Sequence, residues 1–199
     1  MNEILMSLSL IASMSAKTVT LSFDDGPSPL YTSQILQILK DNNIKANFFV
    51  VGQMLEKNPQ LVEQEVAEGH QLGAHSMTHK QLTKISLEKA KYEILESMRL
   101  VNKYQKSDLF RFPYGSHNKT LDKVVEENNY KAIFWNTDSL DWKIHDSEAI
   151  CDRVVVRVAK DQDDNDIILF HDIHPQTIQA LREVIKYLKD HNIKTKTIE

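Results

Sequence analysis

The chain has a single cysteine, only five glycines among its 199 residues, and no block of basic side chains. One cysteine, Cys151, excludes an intramolecular disulfide, and because no activating motif lies near it we interpret it as a packing residue. The formal net charge of −4 is spread along the sequence, which gives no support to nucleic-acid binding. No GxGxxG pattern occurs, so the sequence lacks the phosphate-binding loop typical of open dinucleotide-binding sheets.

The sequence also offers no place at which to divide it into domains. It contains no linker, no low-complexity segment and no shift in composition. Its content of 41% hydrophobic and 26% charged residues is ordinary for a globular protein. A chain of this length can bury one well-formed core, so we expect a single domain.

The N-terminal segment is ambiguous. Residues 4–16, ILMSLSLIASMSA, have the length of the apolar region of a signal peptide and end in small residues. Glu3, however, stands where such peptides carry Lys or Arg, and serines interrupt the run. We interpret residues 1–16 as a signal-peptide remnant or as an N-terminal segment that packs on the domain. The segment is too short and too polar to span a membrane, so no stable membrane insertion is expected.

Strand-like and helix-like segments alternate from about residue 18 onward. Apolar, β-rich runs predict strands at 18–23, 46–51, 71–76, 108–112, 130–135 and 166–170, with one more at 193–198. Helical periodicity predicts helices at 29–41, 59–68, 86–106, 118–128, 147–160 and 175–190. Six or seven such units favour a parallel sheet covered by helices. Because the glycine-rich loop of an open sheet is missing, the predicted fold class is an α/β barrel.

Unusual polar residues lie at the ends of five of these strand-like runs. They are Asp24 and Asp25 after the first run, His75 and His79 after the third, Arg111 at the fourth, Asp138 and Asp141 at the fifth, and His171 at the sixth. The loops at the carboxyl ends of barrel strands share one face of the molecule. We therefore expect these side chains to lie close together.

A cation site is the first chemistry that this placement indicates. His75 and His79 are four residues apart, so one helical turn would put both imidazoles on the same side. A neighbouring carboxylate would complete a His-His-Asp set with an open position, as in catalytic zinc sites. The alternative is a core histidine bonded to the backbone at position 75 and an exposed histidine at position 79.

The adjacent carboxylates of Asp24 and Asp25 fit the same interpretation. Consecutive residues at a strand end point in opposite directions, so one carboxylate can bind the cation while the other faces its water. The cation would offset the repulsion between the two acids and lower the pKa of that water. The second carboxylate could then act as the general base.

Five segments in order, SFDDGP, HSMTH, RFPYG, DSLDW and ILFHD, resemble the five motifs of the polysaccharide deacetylases (carbohydrate esterase family 4, the NodB homology domain). The resemblance covers roughly residues 17–198, so residues 17–199 are expected to be a catalytic domain of this family. One departure is Ser22, where the family more often has Thr. The resemblance implies a distorted (β/α)7-type barrel, in agreement with the strand count.

The resemblance also implies a role for each polar residue. Asp25, His75 and His79 would bind the metal, with zinc as the default and Co²⁺ or Ni²⁺ as substitutes. Asp24 would be the base that deprotonates the water, and Arg111 would pair with Asp24 and keep it ionised. The alternative for Arg111 is a surface salt bridge.

The remaining roles concern the acid and the walls of the pocket. His171 would be the general acid, with Asp141 bonded to its other ring nitrogen. The backbone N–H of Tyr114 would stabilise the oxyanion. Trp135 and Leu169 would line the pocket for the acetyl methyl group, the alternative being ordinary barrel core. Asp138 and Trp142 belong to the DSLDW segment, and we assign them a supporting structural role.

The implied function is a metal-dependent hydrolase that removes N-acetyl groups from N-acetylglucosamine units of a polysaccharide, of peptidoglycan or chitin type. The segment HDIHPQTIQAL, residues 171–181, resembles the peptidoglycan and chitin branch. One alternative is an O-acetyl esterase acting on acetylated xylan with the same site. Another is a catalytically silent carbohydrate-binding protein, which would be expected to have lost a base, an acid or a ligand. An acetylated glycan is the expected partner of a monomer that acts outside the cytoplasm.

Overall fold

The computed structural model describes residues 17–160 and 165–198, so the interpretation of residues 1–16 lies outside the described residues. The strands are β1 (Thr18–Asp24), β2 (Asn47–Val50), β3 (Gln71–Ala74), β4 (Leu109–Phe110), β5 (Lys131–Ala132), β6 (Thr137–Asp138), β7 (Asp166–His171) and β8 (Lys194–Thr195). The helices are α1 (Thr32–Asp41), α2 (Gly52–Lys57), α3 (Pro59–Ala67), α4 (Leu87–Val101), α5 (Lys119–Glu127), α6 (Ser147–Lys160) and α7 (Pro175–Asp190). Two short 3₁₀ turns lie at Leu82–Lys84 and Pro113–Gly115.

The strands form one parallel sheet in the order β5-β4-β3-β2-β1-β7-β6. β8 pairs with the first residues of β1, whereas β2 pairs with its last three. The sheet curls strongly: Arg111, which follows β4, contacts Asp24 of β1 at 2.7 Å. In a flat sheet, strands three positions apart would be about 14 Å apart. The predicted distorted (β/α)7-type barrel is therefore confirmed.

The packing of phenylalanine rings fixes the strand ends that carry the polar residues. Phe23 lies on the opposite face of β1 from Asp24, and its ring stacks on Phe48 at 5.0 Å and on Phe170 at 5.8 Å between centroids. All three rings are at most 1% exposed. Phe170 directly precedes His171, so this apolar layer supports the residues on both sides of the strand ends.

The observed elements differ from the sequence expectations where the strands are very short. The predicted strand at 130–135 is only two residues long, because the chain then leaves β5 and crosses to the other end of the sheet. β6 and α2 were not predicted at all, since neither carries an apolar run of its own. In the part of the chain that the structure describes, every helix is too short or too polar to cross a bilayer.

Candidate active site

The two consecutive aspartates follow β1 and enter the same cavity. Asp25 adopts a left-handed backbone conformation with φ of 77°, which turns the chain as it leaves the strand. Nε2 of His75 consequently lies 3.7 Å from Oδ2 of Asp24 and 3.4 Å from Oδ1 of Asp25. The expectation that the two carboxylates point to opposite sides is therefore wrong, because Asp25 no longer has strand geometry.

The histidine segment is a loop, so the predicted helical turn is wrong. β3 ends at Ala74, and the loop contains left-handed residues at Ser76, φ 61°, and His79, φ 55°. Its geometry still brings the two imidazole centroids to 5.0 Å. Nδ1 of His75 lies 2.9 Å from the carbonyl oxygen of Arg111, which directs Nε2 toward Asp25.

The donor atoms of this cluster fit a divalent cation. Oδ1 of Asp25 lies 3.4 Å from Nε2 of His75 and 3.0 Å from Nε2 of His79. The three possible ligand atoms lie within 4.8 Å of one another. Among the described residues, this buried carboxylate oxygen accepts no hydrogen bond of good geometry. Two imidazole nitrogens and one carboxylate oxygen are the donor set of catalytic zinc sites.

The electrostatics of the cluster favour the ligating forms. Burial by itself would raise the pKa of Asp25. The contact with His79 and the nearby imidazoles, chiefly the imidazole of His75, outweigh burial and hold this pKa well below its usual range. Burial lowers the pKa of His75, although Asp24 and Asp25 oppose this. A carboxylate and a neutral imidazole are the states that bind metals.

Arg111 is fully buried beside Asp24, which rules out a surface salt bridge. Its Nη1 donates to Oδ1 of Asp24 at 2.7 Å and to the hydroxyl of Ser22 at 2.9 Å. Its Nε donates to the carbonyl oxygen of Ile133, and its guanidinium lies 3.9 Å above the ring of Phe49. These contacts orient the Asp24 carboxylate, and Ser22 supplies the hydroxyl despite its departure from the family pattern.

His171 and Asp141 form a second buried pair at the end of β7. Nδ1 of His171 lies 2.7 Å from Oδ1 of Asp141. Oδ2 of Asp141 accepts the N–H of His171 at 2.8 Å and the hydroxyl of Thr177 at 2.6 Å. Burial would lower the pKa of His171, but the hydrogen bond and the charge of Asp141 raise it to about 9. Asp141 therefore favours the imidazolium form of His171.

A cavity of about 410 Å³ joins these groups. Its lining residues are Asp24, Asp25, His75, His79, Tyr114, Trp135, Asp138, Trp142, Leu169 and His171. Arg111 and Asp141 lie behind Asp24 and His171, in direct contact with them. The structure thus brings together every predicted site residue.

Three residues have a closer relation to the site than the sequence indicated. Asp138 and Trp142, assigned a supporting structural role, both line the cavity, and the Trp142 side chain is 51% exposed. Thr177 was not singled out, yet its hydroxyl donates to Asp141. Trp142 follows Asp141 directly in the DSLDW segment, and this pattern could have predicted that Trp142 lines the cavity. A single threonine in a helix, such as Thr177, gives no such indication.

The backbone at Tyr114 is also unusual. Tyr114 has φ of 61° within the Pro113–Gly115 turn, and its side chain is 65% exposed. Its ring lies 4.7 Å from that of His79. The turn therefore places this residue at the edge of the cavity next to the cation cluster.

Comparison with known proteins shows the family to which the chain belongs. Residues 12–133 match the sequence model of the family described as polysaccharide deacetylase. A peptidoglycan-N-acetylglucosamine deacetylase of Bacillus cereus is 35% identical over 188 residues, which cover 92% of this chain and 86% of that protein. The peptidoglycan-N-acetylglucosamine deacetylase PgdA of Listeria monocytogenes is 37% identical over 92% of this chain, but the chain spans only 38% of its length.

A solved structure gives the same result for the fold. Peptidoglycan deacetylase PdaC from Bacillus subtilis superposes with a TM-score of 0.83 at 33% sequence identity, over 92% of this chain and 89% of that chain. The family match covers more than half of the sequence, and the relatives align over nearly all of it. The chain belongs to the polysaccharide deacetylase family.

Proposed function

We propose that this protein is a cation-dependent hydrolase that removes the N-acetyl group from N-acetylglucosamine units of peptidoglycan and releases acetate. The observation that carries the proposal is the pairing of Asp24 with His171 in adjacent strands of the sheet. Neighbouring residues in register project to the same side, about 5 Å apart. A carboxylate and an imidazolium therefore face one cavity, beside a cluster that fits a divalent cation.

Amide hydrolysis requires a proton acceptor and a proton donor, and we assign these roles to Asp24 and His171. Asp24, oriented by Arg111, accepts a proton from the water that attacks the acetamide carbonyl carbon. His171 donates its Nε2 proton to the amide nitrogen as the carbon–nitrogen bond breaks, so the amine leaves in neutral form. This donor is needed because an amine anion is a poor leaving group. Asp141, at 2.7 Å, keeps the ring charged and aligned.

The other residues of the cavity bind and orient the acetyl group. A divalent cation on Asp25, His75 and His79, with Zn²⁺ as the default and Co²⁺ or Ni²⁺ as substitutes, supplies Lewis-acid chemistry. The backbone N–H of Tyr114 donates to the oxygen of the acetyl group as negative charge develops on it. The half-buried Trp135 and the buried Leu169 provide apolar walls for the methyl group.

The choice of polymer rests on the names of the relatives. The Listeria monocytogenes and Bacillus cereus proteins are named for deacetylation of N-acetylglucosamine in peptidoglycan. A Bacillus subtilis relative is named for N-acetylmuramic acid in the same polymer, and a Sinorhizobium fredii relative for chitooligosaccharides. Peptidoglycan lies outside the cytoplasm, so we propose extracytoplasmic action. Fractionation of cells that express the native gene should find the protein with the envelope or medium; a purely cytosolic pool would contradict this.

Acetate release from a set of acetylated glycans tests the proposed activity. The Zn²⁺-loaded protein should release acetate from peptidoglycan fragments, and mass spectrometry should show the loss of single acetyl groups from N-acetylglucosamine. Chitin oligosaccharides and acetylated xylan serve as competing substrates, and Asp24→Asn serves as the inactive control. Release from xylan alone would indicate the O-acetyl esterase instead. Release from none of the glycans would favour a silent carbohydrate-binding protein.

A further inference from the structure

The loop of residues 75–79 carries two of the proposed cation ligands on an irregular backbone. Ser76 and His79 both have positive φ, a region that residues other than glycine occupy at an energetic cost. Such a conformation persists only where the surrounding structure fixes it. The contacts of this loop therefore decide where the imidazole of His79 lies.

Most backbone contacts support the first half of the loop. The N–H of His75 donates to the carbonyl of Val50 at 2.9 Å. The carbonyls of Ser76 and Met77 accept the N–H groups of Gly52 and Gln53, each at 2.9 Å. Nearer the second histidine, the N–H of His79 donates to the hydroxyl of Ser76 at 3.0 Å, which is a contact within the loop itself.

The support for Thr78, the residue before His79, comes from a carboxylate on another element. Glu93 of α4 accepts the N–H of Thr78 on Oε2 at 2.8 Å and the hydroxyl of Thr78 on Oε1 at 2.5 Å. Glu93 is 3% exposed, and Nζ of Lys80 lies 3.8 Å from its Oε1. A buried carboxylate is costly unless it is hydrogen-bonded, and here one loop residue supplies both hydrogen bonds.

We propose that Glu93 is a positioning residue for the cation site, acting through Thr78 on His79. The inference rests on the proposed function, since it assumes that His79 binds the cation. α4 is a 15-residue helix whose N-cap, Ser86, accepts a hydrogen bond from Lys89, so Glu93 projects from a well-formed support. By binding both donors of Thr78, it fixes the backbone that enters the left-handed residue His79. Its role is distinct from ligation, because both of its carboxylate oxygens are hydrogen-bonded to Thr78 and it does not line the cavity.

Zn²⁺ titration of the metal-free protein tests the inference without reference to turnover. Loss of a group that hydrogen-bonds a metal ligand directly typically weakens metal affinity roughly 10- to 100-fold. Glu93 acts one residue further out, through Thr78, so Glu93→Ala should bind Zn²⁺ with a Kd about 10-fold higher, at the lower end of that range. Thr78→Val removes only the hydroxyl and should have a smaller effect, whereas Thr78→Ser should bind as the wild type does. The matched control is Glu88→Ala, an exposed glutamate of the same helix. The visible absorption spectrum of the Co²⁺ form should change in Glu93→Ala and not in the control.

The outcomes separate the inference from the proposed function. If the wild type binds Zn²⁺ and Glu93→Ala binds it equally well, Glu93 is only structural and the inference is overturned. If Glu93→Ala does not fold, the Thr78→Val and Thr78→Ser pair decides, and equal affinities would overturn the inference. A wild type that binds no Zn²⁺ would overturn the proposed cation site together with this inference.

Discussion

The two halves of the candidate site are built in different ways. The cation half, Asp25, His75 and His79, lies on loops, and two of its three members have positive φ. The acid half consists of His171 and its partner Asp141. His171 is the last residue of β7, a six-residue strand that pairs with β1 over its whole length. Regular pairing fixes His171 through the sheet, whereas the proposed cation ligands depend on contacts made by irregular backbone. The sheet thus positions the proposed acid, and the loops position the proposed cation ligands.

The halves also differ in how their polar atoms are satisfied. Both carboxylate oxygens of Asp141 have partners within the protein. Oδ1 of Asp25 is buried and, in the described part of the chain, accepts no hydrogen bond of good geometry. The acid half is therefore complete with the protein's own groups, while the cation half leaves a buried carboxylate oxygen for the proposed cation. Substitutions in the first half should change the pH profile, and substitutions in the second should change cation binding.

The largest expected effect comes from breaking the cation half. His79→Ala leaves two ligands, so the cation content of the purified protein should fall far below one per chain and turnover should fall to near background. Elemental analysis of both proteins measures this. His191→Ala, an exposed histidine after α7, is the matched control and should keep its cation. Equal cation content in His79→Ala and the wild type would remove His79 from the site.

Asp24→Asn should separate catalysis from cation binding. The change preserves shape but removes the base, so turnover should fall by roughly 10²–10⁴, the usual contribution of general base catalysis. Cation content should stay close to that of the wild type, because Asp25 remains beside both histidines. If Asp24→Asn lost the cation while Asp25→Asn retained it, the two aspartates would have to exchange roles.

Much of the fold follows from patterns that can be read in the sequence. The periodicity at 147–160 and 175–190 predicts α6 and α7 with the observed bounds. β5 and β6 could not be predicted as they are, because two-residue strands contain too few positions for a pattern. The apolar residues after β5 misled the prediction, since Trp135 among them lines the cavity and is not part of a strand.

The sequence could predict that the side chains of the site lie close together, but it could not predict the backbone conformation of the residues that carry them. Strand exits on one face of a barrel bring Asp24, His75 and His171 together whatever the loops do. The left-handed conformations of Asp25 and His79 carry no such signal, because neither residue is a glycine. The histidine spacing therefore suggested a helical turn where a loop occurs. The catalytic roles of these residues stay predictions until the variants are measured.

Asp141→Asn should change the acid half alone. His171 must be protonated to act as an acid, so activity should fall as the pH rises through its pKa, which Asp141 raises to about 9. Without that charge the pKa should fall toward 6.5, the ordinary value for histidine. Turnover at pH 8 would then fall by up to roughly 30-fold, with little change at pH 6.

The control for this prediction is cation content, which should match the wild type. A bound cation adds positive charge and lowers the pKa of His171 in both proteins, so the difference between the two pH profiles is the quantity to compare. Identical pH profiles at high pH would show that the fall in activity reports another group, and His171 would lose its assignment as the acid.

Thr177→Val should have the smallest effect on activity. It should shift the high-pH fall in activity upward, in the direction opposite to the shift expected for Asp141→Asn. The Thr177 hydroxyl donates to Oδ2 of Asp141 and helps to lower the pKa of that carboxyl group. Its loss makes Asp141 a stronger acceptor for His171, so the fall in activity at high pH should move slightly upward. Turnover should fall roughly 2- to 10-fold, which corresponds to about 0.5–1.5 kcal/mol for one hydrogen bond. Thr177→Ser keeps the hydroxyl and should restore both values. A downward move in Thr177→Val would mean that Asp141 had lost its alignment with His171, and Thr177 would then act on geometry more than on charge.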